Sequence, residues 1–170
     1  MATSLEMLQK VQDKFSDCIL ETSDRLGEAT VSVKRDCVVD LMNFLRDDSN
    51  LAFDFLMDLC GVDYLEMGGF ERFGVTYHLY SMKHNHRIRV KAFIPETDAK
   101  IDTISQLWDA ANWAEREVYD MYGIEFNNHP DMRRILNPDD FEGFPLRKEF
   151  PAEGIGYREN FEKIERLNAQ

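Results

Sequence analysis

The chain has 170 residues, a formal net charge of -12 and 44% hydrophobic residues, which predict one domain with a sizeable core. The strong negative charge disfavours direct binding to nucleic acids or anionic lipids, because it repels their phosphate groups. No apolar run in the sequence is long enough to span a membrane. The cysteines, Cys18, Cys37 and Cys60, are odd in number and widely spaced, which argues against a disulfide framework and indicates a reducing compartment.

The N-terminal part of the chain is predicted to alternate helices with strands. A helix over residues 4–19, with Ser4 as its N-cap, carries one apolar stripe. A short strand over 30–34 follows, and Asp36 is placed to cap a second helix. Residues 53–59 alternate apolar and acidic side chains, as a half-buried strand does. The residues expected to face the core are Leu5, Leu8, Val11, Phe15, Cys18, Val31, Val33, Val38, Leu41, Met42, Leu45, Phe53, Phe55, Met57 and Leu59.

A hairpin is predicted in the middle of the chain. Residues 73–79 and 88–94 both alternate apolar and polar side chains. Pro95 is expected to end the second strand, because proline has no amide hydrogen for the ladder.

Two consecutive helices are predicted after the hairpin. Thr103 and Asn112 each open a capping-box spacing, which predicts helices over residues 103–108 and 113–121. Gly123 stands where a residue in the left-handed conformation ends a helix. The whole order predicts an α+β fold, with helices on one face of a mostly antiparallel sheet.

The C-terminal residues 124–170 are predicted to form a long extended arm, punctuated by prolines and appended to an α+β domain over 1–123. Four of the five prolines of the chain lie between residues 113 and 151, among recurring apolar side chains that must be buried somewhere. An extended segment without regular ladders recovers little of its ordering entropy by itself. We therefore expect the arm to be mobile in the free chain and to become ordered on a partner protein.

Sequence patterns for redox or metal sites are weak. The cysteines are too far apart to supply the ligand spacing of an iron–sulfur cluster, and no glycine-rich phosphate loop is present. His84 and His86 lie near the hairpin tip and His78 lies in the preceding strand. A metal-binding module is one interpretation, and a polar loop that tolerates replacement of both tip histidines is the other.

One group of titratable residues suggests acid–base chemistry. Glu115, Glu117, Asp120 and His129 are the candidate set of a small free-standing enzyme. Arg116 is expected to lower the pKa of the neighbouring carboxylates, which suits an ion-paired helix face better than proton transfer at neutral pH. Arg116, Glu117 and Asp120 are expected on the polar side of their helix.

Two basic doublets, Arg133-Arg134 and Arg147-Lys148, stand out in the acidic chain. Guanidinium groups recognise carboxylates through two parallel hydrogen bonds. The doublets are therefore predicted to anchor the arm through ion pairs, either to a partner protein or within the chain. Ordinary solvated charge is the alternative.

The segment from Glu115 to Lys148 resembles the signature of the 30 kDa subunit family of respiratory-chain NADH dehydrogenase (complex I), whose bacterial members are called the C subunit. The sequence departs from the family pattern at Met132, Phe144 and Glu149-Phe150, where the family usually has Leu, His and Asp-Tyr. The resemblance implies that the motif forms a partner interface. The matching residues are Glu115, Arg116, Glu117, Asp120, Tyr122, Gly123, Phe126, His129, Pro130, Arg133, Arg134, Leu136, Gly143, Pro145, Leu146, Arg147 and Lys148.

The same resemblance implies a structural subunit of a proton-translocating NADH–quinone oxidoreductase. The chain would lie in the peripheral arm of the complex, on the cytoplasmic face of the bacterial inner membrane, and would brace the subunit that forms the quinone site. FMN and iron–sulfur clusters would reside in partner subunits, with no catalytic, cofactor or metal residue in this chain. Equivalent subunits of membrane-bound hydrogenases or plastoquinone-reducing complexes are the alternatives within the family.

Overall fold

The computed structural model describes residues 3–68 and 70–155, so the end of the predicted arm, 156–170, lies outside the described residues. No helix within the described ranges has the length and apolar content needed to cross a bilayer. The helices and strands in chain order are α1 (Ser4–Phe15), β1 (Ile19–Arg25), β2 (Glu28–Lys34), α2 (Val38–Asp47), β3 (Phe55–Asp63), β4 (Phe73–Ser81), β5 (His86–Ile94), β6 (Lys100–Asp102), α3 (Ala110–Tyr122) and β7 (Glu125–Asn127).

Five strands form one mixed sheet in the order β1-β2-β5-β4-β3. All neighbouring pairs are antiparallel except β2 and β5, which run parallel. A separate parallel pair, β6 and β7, sets Ile101 opposite Phe126 and ties the chain on either side of α3 together. This architecture confirms the predicted α+β class with a mostly antiparallel sheet.

The hydrophobic core lies between one face of the sheet and the helices, and the predicted hairpin supplies its centre. α3 packs against β3, where Gly61 allows a close approach, since a Cβ at this position would lie 2.6 Å from the ring of Tyr122. The largest fully buried side chains of the core are Tyr77, Phe53, Phe73, Leu41, Met42, Leu45, Leu51, Leu79, Ile94, Ile101, Ile104 and Ile124.

α1 has its cap one residue earlier and ends sooner than the apolar pattern predicts. Thr3 is the N-cap: its Oγ1 accepts from the Glu6 N–H at 3.3 Å, and its own N–H donates to Glu6 Oε2 at 2.8 Å. Leu5, expected in the apolar stripe, is exposed. The helix stops at Phe15, and the last residue assigned to it, Ile19, instead begins β1, a strand that the sequence pattern does not reveal.

A disulfide joins Cys18 and Cys37, so the expectation of no disulfide is wrong for this pair. The β1–β2 hairpin explains the proximity. It returns the chain so that the Lys34 N–H donates to the Cys18 carbonyl at 3.0 Å, and Cys37 follows three residues later. Cys60 is a free, partly buried cysteine.

The alternation predicted for residues 53–59 breaks at a β-bulge. Leu56 on β3 lies opposite Leu79, and the next paired residue is Asp58, which leaves Met57 as the extra residue. Phe55 and Met57 are therefore exposed, whereas Leu56 is buried. A bulge changes which face each side chain occupies, and a simple two-residue period does not reveal it.

The helix predicted over residues 103–108 is a single turn, closed by the Leu107 N–H donating to the Ile104 carbonyl at 2.8 Å. Thr103 does bind the Ser105 N–H through its hydroxyl, at 3.0 Å, as a capping residue would. The helix that follows starts at Ala110, so the predicted start near residue 113 is also late.

Candidate functional site

The polar side of α3 is buried. Glu115 and Asp120 are fully buried and Arg116 is only 8% exposed, whereas Glu117 is exposed. Arg116 and Asp120 lie on the polar side of the helix, and they are buried because the C-terminal arm lies over them. The family motif thus joins two segments of the same chain.

Asp120 is the main anchor of the arm on α3. Its Oδ2 accepts from the backbone N–H groups of Ile135, Leu136 and Asn137, at 3.1, 2.8 and 2.8 Å. Its Oδ1 accepts from Arg134 Nη1 at 2.7 Å and from the side-chain amide of Asn137 at 3.0 Å. Burial acts to raise the pKa of Asp120, but these donors outweigh it and lower the pKa to about 2.

Two arginines extend this anchor through backbone carbonyls. Arg116 donates from Nε and Nη2 to the carbonyls of Arg133 and Arg134, both at 3.2 Å. Arg134 donates in addition to the carbonyls of Phe141 and Gly143, at 3.0 and 3.4 Å. An extended segment leaves its carbonyls unpaired, and these guanidinium groups satisfy several of them.

The C-terminal end of α3 also binds the arm. Gly123 ends the helix with φ of 72°, as predicted, and leaves nearby carbonyls open. The Leu146 N–H donates to the Met121 carbonyl at 3.1 Å, and Arg147 Nε donates to the Tyr122 carbonyl at 2.6 Å. The Arg147 guanidinium lies over the ring of Phe144, 4.5 Å from its centroid.

A second anchor fixes the arm to the sheet. Asp63, at the end of β3, pairs with Arg72 at 3.0 Å and accepts from the Lys148 N–H at 3.0 Å. Arg72 also pairs with Glu149 of the arm and with Glu96. Burial acts to raise the pKa of Asp63, but the Arg72, Lys148 and Leu65 donors lower it overall.

Of the candidate acid–base set, only Glu115 and His129 lie together. Glu115 Oε2 and His129 Nε2 are 3.8 Å apart, and both side chains are 0% exposed. Burial raises the pKa of Glu115 to about 7, although the Thr103 hydroxyl and the Ile104 N–H, which donates at 2.8 Å, oppose the shift. The expectation that Arg116 lowers this pKa is therefore wrong.

His129 is arranged as a neutral imidazole. Its Nε2 lies 3.2 Å from the Asn112 carbonyl, and its Nδ1 accepts from the Asp131 N–H at 3.1 Å. Burial lowers the pKa of His129, and Arg116 adds to the effect. With both side chains enclosed, the pair is built to hold the arm rather than to meet a substrate.

The three histidines considered for a metal site do not converge. His84 and His86 lie side by side, but they contact the carbonyls of Ser49 and Leu51, at 2.9 and 2.7 Å. His78 lies on β4 opposite Arg89. Among the residues that the structure describes, no group of three or more His, Cys, Asp or Glu side chains is arranged to hold a metal ion.

Sequence reasoning missed Asp63, Arg72 and Thr103 as parts of the site. Asp63 and Arg72 carry opposite charges and stand at the two ends of the loop between two predicted strands. This arrangement could have indicated that they pair. The capping-box spacing presents Thr103 only as a helix cap. Several motif side chains remain accessible at the surface of the folded arm, namely Pro130, Arg133, Leu136, Leu146 and Lys148.

Comparison with known proteins matches residues 31–155 to the family described as "Respiratory-chain NADH dehydrogenase, 30 Kd subunit". The C subunit of NADH-quinone oxidoreductase from Geobacter metallireducens is 50% identical over 157 residues, which is 92% of this chain and 94% of that protein. The protein of the same name from Hyphomonas neptunium is 45% identical over 161 residues, 95% of this chain and 78% of its own.

Solved structures agree with the fold. One described as "Nqo5 of the trypsin-resistant fragment (1-134)" is 34% identical with a TM-score of 0.66, and the match covers 75% of this chain and 98% of that one. A chain of the membrane-bound sulfane sulfur reductase, an archaeal respiratory membrane complex, has a TM-score of 0.74, over 98% of this chain and 95% of its own. At 22% identity, this second likeness shows the fold alone. The chain belongs to the 30 kDa subunit family of respiratory-chain NADH dehydrogenase, whose bacterial relatives are C subunits of NADH–quinone oxidoreductase.

Proposed function

We propose that the chain is a structural subunit in the peripheral arm of a proton-translocating NADH–quinone oxidoreductase, on the cytoplasmic face of the membrane. It holds neighbouring subunits in register, chiefly the subunit that forms the quinone site. Electrons pass from NADH through FMN and iron–sulfur centres carried by those neighbours. The chain itself supplies no redox centre.

The main support for this proposal is that the family motif holds the arm in place instead of forming an open site. Its buried charges bind backbone groups of the arm: Asp120 accepts three consecutive N–H groups, and Arg116 and Arg134 bind carbonyls. Such contacts fix the shape of an extended segment. A motif that shapes a surface, and encloses its own titratable pair, suits a subunit that others dock against.

The alternative of a free-standing enzyme is not favoured. It requires Glu115, Asp120 and His129 to meet a substrate, but the side chains of Glu115 and His129 are 0% exposed and Asp120 is fully buried. The equivalent subunit of a related membrane-bound hydrogenase or plastoquinone-reducing complex is the second candidate.

The proposal is tested by deleting the gene and isolating the complex from membranes. We expect loss of NADH–quinone reductase activity and of the assembled peripheral arm, with recovery of both when the wild-type chain is restored. The purified chain should be colourless and free of stoichiometric iron. Visible absorbance with bound iron in the isolated chain, or full reductase activity without it, would reject the structural role.

A further inference from the structure

One groove on the surface has the chemistry of a docking site. It has a volume of about 540 Å³ and lies between the start of α3 and the first residues of the arm. Of the residues that anchor the arm, Arg116 lines this groove, whereas Asp120, Arg134 and the buried Glu115–His129 pair do not. Its walls include Ser105, Asn112, Trp113, Arg116, Pro130 and Arg133.

Trp113 is the apolar anchor point of this groove. Its side chain is 63% exposed, whereas Glu115 and Arg116, which follow it on the same helix, are buried. The Arg116 guanidinium lies 5.1 Å from the centroid of its ring. Because Arg116 is held by two arm carbonyls, the indole rests on a fixed platform. Tryptophan and arginine are both enriched among the residues that contribute most to binding at protein interfaces.

Arg116 carries a charge that no carboxylate compensates within the described part of the chain. It bonds to two carbonyls and an indole ring, and among residues 3–68 and 70–155 no carboxylate pairs with it. A nearly buried guanidinium without a counter-ion is costly, and a carboxylate in contact with it removes much of that cost.

The acidic residues at the groove do not meet this need. Asp131 pairs with Arg133 on the rim at 2.9 Å. Asp109 lies at the exposed start of α3 and makes no capping hydrogen bond. The adjacent Glu115 turns inward to Thr103 and Ile104. Within the described residues no carboxylate is therefore left for Arg116, and the groove has room for one supplied by a neighbouring subunit.

We propose that this groove receives an acidic side chain, flanked by an apolar one, from a neighbouring subunit of the assembly. The carboxylate meets Arg116 and the apolar side chain packs on Trp113. This inference rests on the proposed function, because it requires a partner in the same complex. It adds the location of the contact and the chemistry of the partner segment.

A zero-length crosslink tests the carboxylate directly. In the complex purified with an Arg116→Lys chain, a carbodiimide joins the lysine amine to a touching carboxylate, forming an amide while the reagent takes up the water as a urea. We expect Lys-to-acid coupling at position 116 to an Asp or Glu of another subunit. The existing Lys100–Glu125 pair, at 2.7 Å, gives an internal crosslink that shows the reagent has worked. An Arg25→Lys chain, altered on the edge strand β1, is the matched control.

The outcomes separate the hypotheses. Coupling only to a carboxylate of the same chain, to a second copy of the chain, or to nothing overturns the inference. In parallel, Trp113→Ala should lower retention of the subunit in salt-washed complex by roughly thirtyfold. Leu26→Ala, at a side chain 95% exposed far from the groove, should not. Equal retention of both variants also overturns the inference.

If the wild-type chain co-purifies with no other subunit, the proposed function itself fails, independently of the groove.

Discussion

At the scale of single residues, Asp120 ties three consecutive arm residues to α3 while Arg134 supplies its counter-charge. Replacing it by alanine leaves a partly buried guanidinium and several N–H groups without acceptors. We expect Asp120→Ala to lower the free energy of unfolding by about 3–5 kcal/mol. Chemical denaturation measures the loss, with Glu117→Ala on the exposed side of the helix as control. If the two variants unfolded at the same denaturant concentration, Asp120 would not be an anchor of the arm.

Glu115 predicts a distinct pH dependence. Its pKa rises from an ordinary value of 4.5 to about 7 on folding, so the folded state binds the proton more tightly than the unfolded state. Its contribution to stability is therefore greatest below pH 4.5 and falls as the pH rises towards 7, by up to about 3 kcal/mol. Glu115→Gln removes this titration and keeps an acceptor for the Ile104 N–H. We expect the variant to gain thermal stability relative to wild type at pH 8 but not at pH 4. If the variant and the wild type differed in thermal stability by the same amount at both pH values, the raised pKa of Glu115 would be refuted.

The two histidines at the β4–β5 turn should respond differently to replacement, although the sequence predicts that both are tolerated. His86 is buried, packs on Phe53 with ring centroids 4.9 Å apart, and contacts the Leu51 carbonyl. His86→Ala should cost about 2 kcal/mol through lost packing and an unpaired carbonyl. His84→Ala, at the more accessible partner, should change stability by less than about 1 kcal/mol. Thermal denaturation of both variants checks the order.

At the scale of elements, the end of α3 links the helix to the arm through Gly123. Its φ of 72° disfavours any Cβ, and a Cβ there would lie 2.5 Å from the Phe144 ring and 2.7 Å from Arg147 Nη2. Gly27 is the matched control, because its φ of 79° is similar but no atom lies within 4 Å. Gly27→Ala should cost roughly 1–2 kcal/mol through backbone strain alone.

Gly123→Ala should cost more than this, because the arm must also move. The excess, measured by denaturation of the two variants, reports the contact between the helix end and the arm. If the two substitutions cost the same, the arm does not press on this turn.

The sequence predicted best those helices and strands in which the spacing of the apolar residues is regular. Apolar residues occupy every second position along most of β4 and β5, and the apolar residues of α2 recur at helical steps, so these elements were identified. Met57 was misplaced because a bulge resets the period, and β1 was missed because its first residues extend the helical stripe of α1. The capping-box spacing at Thr103 predicted a helix, but the Thr103 hydroxyl caps only a single turn. A capping signal therefore marks where a turn starts and does not show that a helix continues from it.

At the scale of the whole molecule, the arm is closed onto the domain by charges far apart in sequence. Lys148 and Asp63 are separated by 85 residues, and Arg72 and Glu149 by 77. The sequence singled out the doublets Arg133-Arg134 and Arg147-Lys148 as candidate anchors, because doublets of basic residues in an acidic chain are conspicuous. It could not name their acceptors, since many carboxylates and carbonyls were equally available before the fold brought particular ones together.

Composition led us to expect a mobile arm in the free chain, but these contacts lead us to predict an ordered one. Residues 134–150 obtain hydrogen bonds from α3, the end of β3 and Arg72, and these bonds offset part of the entropy cost of ordering them within one chain. We therefore expect slow amide hydrogen exchange at Ile135, Leu136 and Asn137 in the free chain, at rates similar to those in the assembled complex. Protection should be lost in Asp120→Ala and retained in Glu117→Ala.

Fast exchange of these three amides in the free wild-type chain would show that the arm needs its partner in order to fold. The anchors would then form only on assembly, and the motif would be a binding element rather than an internal clamp. Slow exchange would instead mean that the chain offers its neighbours a surface already shaped. Docking would then require little further ordering of residues 134–150, and the affinity would come from exposed groups such as Trp113.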